Sequence, residues 1–264
     1  MVGAQAKAIA AAYRKLANDG IDLENVRLVL VTHSIPVAME EGSAPTEAER
    51  SSIAPDLSTE ISYVAQHRAL IRVLLPLVRG SLGLSRIEWD LAFCSRSGPA
   101  WSRWLEPDVN DLLEKLADEG AGDERRELEQ KAGGGPTHRR PARKGTTGRP
   151  SVSGVVVAPI GFIYDHMEVV YDLDVEARGT AAKVGLPYER AATVSTDGDF
   201  IASLVDVLEE RAAQARGEDV QPVTLTGAGP FHTVCPEQCC RSGRPGVRRR
   251  GESDAARAEP RLER

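Results

Sequence analysis

Seven residues, Val26-Arg-Leu-Val-Leu-Val-Thr32, do most to limit what this chain can become. A β-branched run of this kind, with so little polar alternation, suits a strand buried on both faces, as in a parallel sheet covered by helices. Two further runs have the same character: Ile87–Cys94 (IEWDLAFC) and Ser153–Phe162 (SGVVVAPIGF). Helical spacing fills the intervals. It shows at Ile9, Ala12, Tyr13 and Leu16 before Gly20, then from Ser58 to Gly80 through Ile61, Val64, Ala65, Ala69 and Val73. Helices are also predicted over Pro107–Glu119, Glu168–Val184 and residues 199–215, and a loop over Ser34–Pro55. Strands and helices that alternate in this way predict an α/β fold on a parallel sheet.

The length of 264 residues allows one large domain or two small ones. A hydrophobic share of 41% is low for a compact enzyme, and two segments account for much of the deficit. Residues 120–152 join a helix to its strand, a task that usually takes about 2–6 residues. Rich in Gly, Pro and Arg, they read as a disordered surface insertion, and the Arg-rich tail after Gly243 reads the same way. A net charge of −6 gives no reason to expect nucleic-acid binding. No apolar run reaches the roughly 18 residues of a membrane span. The first twenty residues read as an amphipathic helix and not as a signal peptide, so the expected compartment is the cytoplasm. Four cysteines there suit metal ligands or free thiols better than disulfides.

Two places can carry chemistry. His33 directly follows a buried strand and so lies at the carboxyl edge of the sheet, where open α/β folds bind ligands. It is either a base in such a site or a loop histidine satisfied by a backbone carbonyl. In Asp165-His-Met-Glu-Val-Val-Tyr-Asp-Leu-Asp-Val-Glu176, the carboxylates Glu168, Asp172 and Glu176 recur every four residues. On an α-helix that spacing lines them along one face. The row is either a solvated acidic face or a lane for protons or a hard divalent cation. Together, a base and an acidic row could flank a flat ligand. Metal insertion into a porphyrin needs this pair, because two pyrrole protons must leave as the metal arrives. No P-loop and no GxGxxG opens a helix, so no nucleotide cofactor is expected.

Several blocks, in order, resemble the ferrochelatase family: VTHSIPVAM, WDLAFCSRSGPAWSRWLEPDVND, VVVAPIGFIYDHMEVVYDLDVEA and Glu189–Thr193 (ERAAT). The likeness covers residues 1–119 and 152–216 and is greatest to the actinobacterial coproporphyrin ferrochelatases. It implies His33 and Glu168 at the metal-insertion centre, as ligands of the substrate Fe(II) or as proton acceptor and metal conduit. It further implies Asp172 and Glu176 as the acidic path, Trp104 beside the macrocycle, and coproporphyrin III or a related porphyrin as the organic substrate. Trp101 has no match and could equally be a core residue at a helix start. Cys235, Cys239 and Cys240 resemble the C-terminal group that binds a 2Fe–2S cluster in many relatives. Such a cluster takes four thiolates, so the fourth is missing or is Cys94.

The family fold is two chelatase-like, Rossmann-type parallel sheets facing each other across a cleft. Against it, residues 1–90 are expected to be the remnant of a partly missing first half, carrying the His33 strand. Residues 91–216 are expected to be the complete second half, with 217–264 a cysteine-bearing extension and tail. The chain thus resembles an N-terminally truncated member, expected to be poorly soluble or nearly inactive by itself. Two alternatives stay open: a non-catalytic fragment that binds an iron–sulfur cluster or a tetrapyrrole, and a chelatase for another divalent metal such as cobalt or nickel.

Overall fold

The computed structural model describes residues 1–43, 62–99, 101–119, 152–223 and 225. In chain order these form α1 (Val2–Asn18), β1 (Val26–His33), α2 (Val37–Ser43), α3 (Tyr63–Leu82) and β2 (Trp89–Cys94). There follow α4 (109–119), β3 (Gly154–Pro159), the long helix α5, β4 (Tyr188–Arg190) and α6 (Gly198–Ala215). Helix α5 runs through Met167–Val169, Val170–Ala177 and Arg178–Lys183, and its central part is a π-helix of eight residues.

All four strands are parallel, in the order β2-β1-β3-β4. Seven of the eight β1 residues are buried, the burial expected of a strand covered on both faces. Alternation along the strand then divides the core in two. Leu28 and Leu30 join Val156 and Ala158 of β3 against Ile9, Tyr13 and Leu16 of α1 and Ile71, Leu74 and Val78 of α3. Val29 and Val31 join Val155 and Val157 against Leu113 and Leu116 of α4 and Val169 and Leu173 of α5. Arg27 is buried with them and is neutralised by Asp90 of β2, Nη1 to Oδ2 at 2.6 Å.

Local chemistry sets the helix ends. Ser62 caps α3 by accepting from the Ala65 amide, and Gly83, at φ +67°, closes it by donating to the Arg79 carbonyl. Asp197 caps α6 by accepting from the amides of Asp199 and Phe200.

The α/β parallel sheet expected from the strand runs is what forms, with corrections of detail. The loop expected over Ser34–Pro55 contains α2, and the short β4 adds an unexpected fourth strand. The third run yields a strand only to Pro159, after which the chain turns out of the sheet. The division expected at residue 90 falls inside β2, and β1 pairs with β2 on one side and β3 on the other. The strand assigned to 1–90 therefore lies in one sheet with those of 91–216, between β2 and β3. Residues 120–151 and the tail after Gly243 lie outside the described residues.

Candidate active site

Strands β1 and β3 are neighbours, yet the helices that follow them cover opposite faces: α3 packs on one side and α5 on the other. The two connections diverge at the carboxyl ends of the strands, the place where open α/β folds bind ligands. His33, the last residue of β1, stands at this edge. The pleat decides where the neighbouring side chains go. Thr32 continues the parity of Leu28 and Leu30 and meets α3, whereas His33 continues that of Val29 and Val31 and meets the β3–α5 connection.

His33 Nδ1 lies 2.5 Å from the Ser34 carbonyl oxygen. A carbonyl only accepts, so Nδ1 carries the proton of the neutral ring and Nε2 keeps its lone pair. That Nε2 faces Glu168 Oε1 at 3.8 Å, and the other carboxylate oxygen of Glu168 lies 3.8 Å from His166 Nδ1. Both are ion-pair separations, longer than a direct hydrogen bond. The buried ring of Phe162 supports both histidines, with centroids 6.4 Å from His33 and 5.4 Å, edge-on, from His166. Glu168 is at the start of α5, where the helix dipole favours a carboxylate.

The connection after β2 closes one side. Leu105 N–H donates to the Ile35 carbonyl at 3.0 Å and Val37 N–H to the Arg103 carbonyl at 2.9 Å, which sets Trp104 opposite Pro36. Ser34 Oγ donates to the Leu105 carbonyl at 3.0 Å. Trp104 is half-buried, and its ring lies so close to Gly98 that a Cβ there would come within 2.3 Å of it. Trp101 does not take the core position open to it in sequence: it is 85% exposed.

The acidic row is carried by α5. Glu168 and Glu176 are exposed, while Asp172 is half-buried and accepts a hydrogen bond from Ser95 Oγ. Ser95 is at φ +63°, a left-handed conformation that is uncommon outside glycine and directs the turn after β2 toward α5. Asp172 and Glu176 lie in the π-helical stretch and Glu168 just before it, so the α-helical stacking expected from the four-residue spacing is replaced by a wider coil. Arg190 of β4 fastens this helix to the loop before it. It grips Asp165 through both terminal nitrogens at 3.0 and 3.2 Å and Asp174 through Nε at 2.7 Å. Burial opposes its charge, but the hydrogen bonds to Asp174 and Asp165 outweigh it and hold the guanidinium pKa above its ordinary value.

The family model described as ferrochelatase matches residues 1–123 and 145–212. The chain belongs to the ferrochelatase family. It is 39% identical to a coproporphyrin III ferrochelatase of Streptomyces griseus over 83% of this chain and 48% of that protein. It is 36% identical to one of Streptomyces coelicolor over 84% of this chain and 48% of that protein. Against one of Propionibacterium freudenreichii it is 34% identical over 84% of this chain and 49% of that protein. The chain spans about half the length of the curated relatives it matches.

For a ferrochelatase-family chain, the site places together His33 and Glu168, which sequence named, and adds three residues it did not: His166, Ser95 and Arg190. The signal for His166 was its place two residues before Glu168. Ser95 and Arg190 act through tertiary contacts that no local pattern announces. Cys94 is buried in β2, its thiol is pushed up to about 12 chiefly by burial, and its Sγ lies 3.8 Å from the Thr32 carbonyl. Cys235, Cys239 and Cys240 lie outside the described residues. Among the described residues, no three His, Cys, Asp or Glu side chains gather into a metal-ligand set, and no helix is long and apolar enough to cross a membrane.

Proposed function

We propose that this chain carries the metal-inserting centre of a coproporphyrin III ferrochelatase. The observation that supports the reading best is the facing of His33 Nε2 and Glu168 Oε1 across 3.8 Å at the carboxyl edge of the sheet. With Nδ1 committed to the Ser34 carbonyl, the lone pair on Nε2 is aimed outward and can accept a pyrrole proton. The imidazolium so formed lies beside a carboxylate that stabilises it. Glu168 is followed by Asp172 and Glu176, oxygen donors that suit a hard divalent cation or carry protons outward. Trp104 offers an aromatic face on which a macrocycle can stack. Iron in this scheme is substrate and leaves in the product. The three cysteines at 235, 239 and 240 belong to the same proposal as ligands of a 2Fe–2S cluster, with a fourth thiolate from elsewhere. Chemical iron and sulfide analysis, with Cys239→Ser as the comparison, tests that part.

The reaction is tested by anaerobic incubation with Fe(II) and coproporphyrin III, followed by absorbance. Protoporphyrin IX, Co(II) and Ni(II) serve as competing substrates. His33→Ala is expected to lower insertion at least 100-fold, the lower range for loss of a general base. Insertion at an undiminished rate in His33→Ala would remove this residue from the centre. Quenching of tryptophan fluorescence by the porphyrin without metallation would favour a binding fragment instead.

A further inference from the structure

Behind His33, on the opposite face of β1, four groups form a hydrogen-bonded chain that the insertion chemistry does not use. Tyr63 and His67 stand one turn apart on α3, their rings 4.4 Å between centroids. His67 Nδ1 lies 2.7 Å from the Tyr63 backbone carbonyl, which only accepts, so Nδ1 bears the hydrogen. In the neutral ring Nε2 is then an acceptor, and it lies 3.0 Å from Thr32 Oγ1. Thr32, fully buried, therefore gives its one hydroxyl proton to His67. The Tyr63 hydroxyl receives no proton from Thr32, so its own single proton is shared, as a three-centre bond, between Thr32 Oγ1 at 2.6 Å and the His33 carbonyl oxygen at 2.9 Å. Burial lowers the His67 pKa, which keeps the ring in the neutral form this order of donors requires.

The consequence falls on the peptide between His33 and Ser34. Its carbonyl is held by Tyr63, and its amide donates to the Cys94 carbonyl at 2.7 Å. The next carbonyl, of Ser34, holds the His33 ring through Nδ1. A ring whose tautomer depends on a neighbouring backbone oxygen keeps that tautomer only while the backbone is fixed. We propose that Tyr63 is a positioning residue for His33, oriented by His67 through Thr32, and that it keeps the Nε2 lone pair facing Glu168. The inference rests on the reading of His33 as the base of the site.

The test uses the 264-residue chain labelled with ¹⁵N, with no porphyrin or metal added. Long-range ¹H–¹⁵N spectra at pH 7.5 report the tautomer of each of the five histidines, assigned by single substitutions. In the unaltered protein His33 and His67 are both expected as Nδ1–H tautomers. Tyr63→Phe removes the donor to the His33 carbonyl and is expected to turn His33 into a mixture of both tautomers. Thr32→Val keeps that donor; it should move the His67 Nε2 resonance and leave His33 as it was. An Nε2–H tautomer at His67 in the unaltered protein would overturn the proposal, and this requires no variant to fold. So would a His33 unchanged by Tyr63→Phe, or one disturbed equally by Thr32→Val, which would mark general loosening. Since no substrate is present, these failures leave the proposed reaction standing. Undiminished insertion by His33→Ala would strike that reaction and leave the hydrogen-bond chain intact.

Discussion

Thr32 and His33 are consecutive residues of one strand, and they meet opposite environments. Thr32 is sealed: fully buried, bonded to Tyr63 and His67, and pressed upon by the Gly161 backbone. His33 is open, a third of its side chain exposed, with Glu168 half-exposed before it. The pleat alone separates them, so a closed flank and an open one share a single peptide bond. The closed side can hold the backbone still because Thr32, Tyr63 and His67 bond to one another, and the open side can exchange protons because His33 Nε2 and Glu168 stand 3.8 Å apart, beyond a direct hydrogen bond. Rigidity and reactivity are thereby divided between two faces of one strand end.

The hardest blow to this division should come at Gly161, where the β3–α5 connection crosses Thr32. A Cβ there would lie 1.9 Å from Thr32 Oγ1 and 3.0 Å from Thr32 Cα, so a buried side chain and its backbone would both have to move. Gly161→Ala is expected to cost about 3 kcal/mol, the upper range for overpacking, read as a lower midpoint in urea unfolding. A midpoint within experimental error of the unaltered protein would mean that the two flanks are not wedged together. Thr32→Val comes next. It leaves His67 Nε2 without a donor on the closed flank, for an expected loss of about 1–2 kcal/mol in the same measurement. His33→Ala, on the open flank, should change stability by less than about 0.5 kcal/mol. If these last two were equal, the contrast between the flanks would fail.

The closed and open flanks were not equally legible in sequence. β1 announced itself through an unbroken β-branched run, and a histidine at its end could be placed at the sheet edge without any structure. Glu168 was legible for a similar reason, as the head of a carboxylate series. The closed flank gave no such sign. Thr32, Tyr63 and His67 are ordinary residues for a strand end and a helix start, and their meeting depends on α3 crossing β1. The π-helical stretch was hidden too, since i→i+5 bonding has no residue signature. Tyr188 of β4 meets it, its hydroxyl donating to the Leu173 carbonyl at 2.7 Å. β4 spans only Tyr188–Arg190 and α2 only Val37–Ser43, too short to show a period.

The smallest expected effect is also the one that separates the flanks by charge. Burial depresses the His67 pKa below its ordinary value, against smaller opposing contributions from the Tyr63 carbonyl and Glu40. The unfolded chain therefore binds the His67 proton more readily than the folded one. Stability attached to this group is complete above the unfolded value of about 6.5. It is lost as pH falls from there toward the lower folded value, below which both states are protonated and the loss levels off. Urea midpoints of the unaltered protein should thus fall between pH 7.5 and pH 5.5. His67→Gln removes the titrating group and should make that fall shallower. An equal slope in the unaltered protein and in His67→Gln would show that the closed flank does not resist the proton, and the reason for its neutral histidine would have to be sought elsewhere.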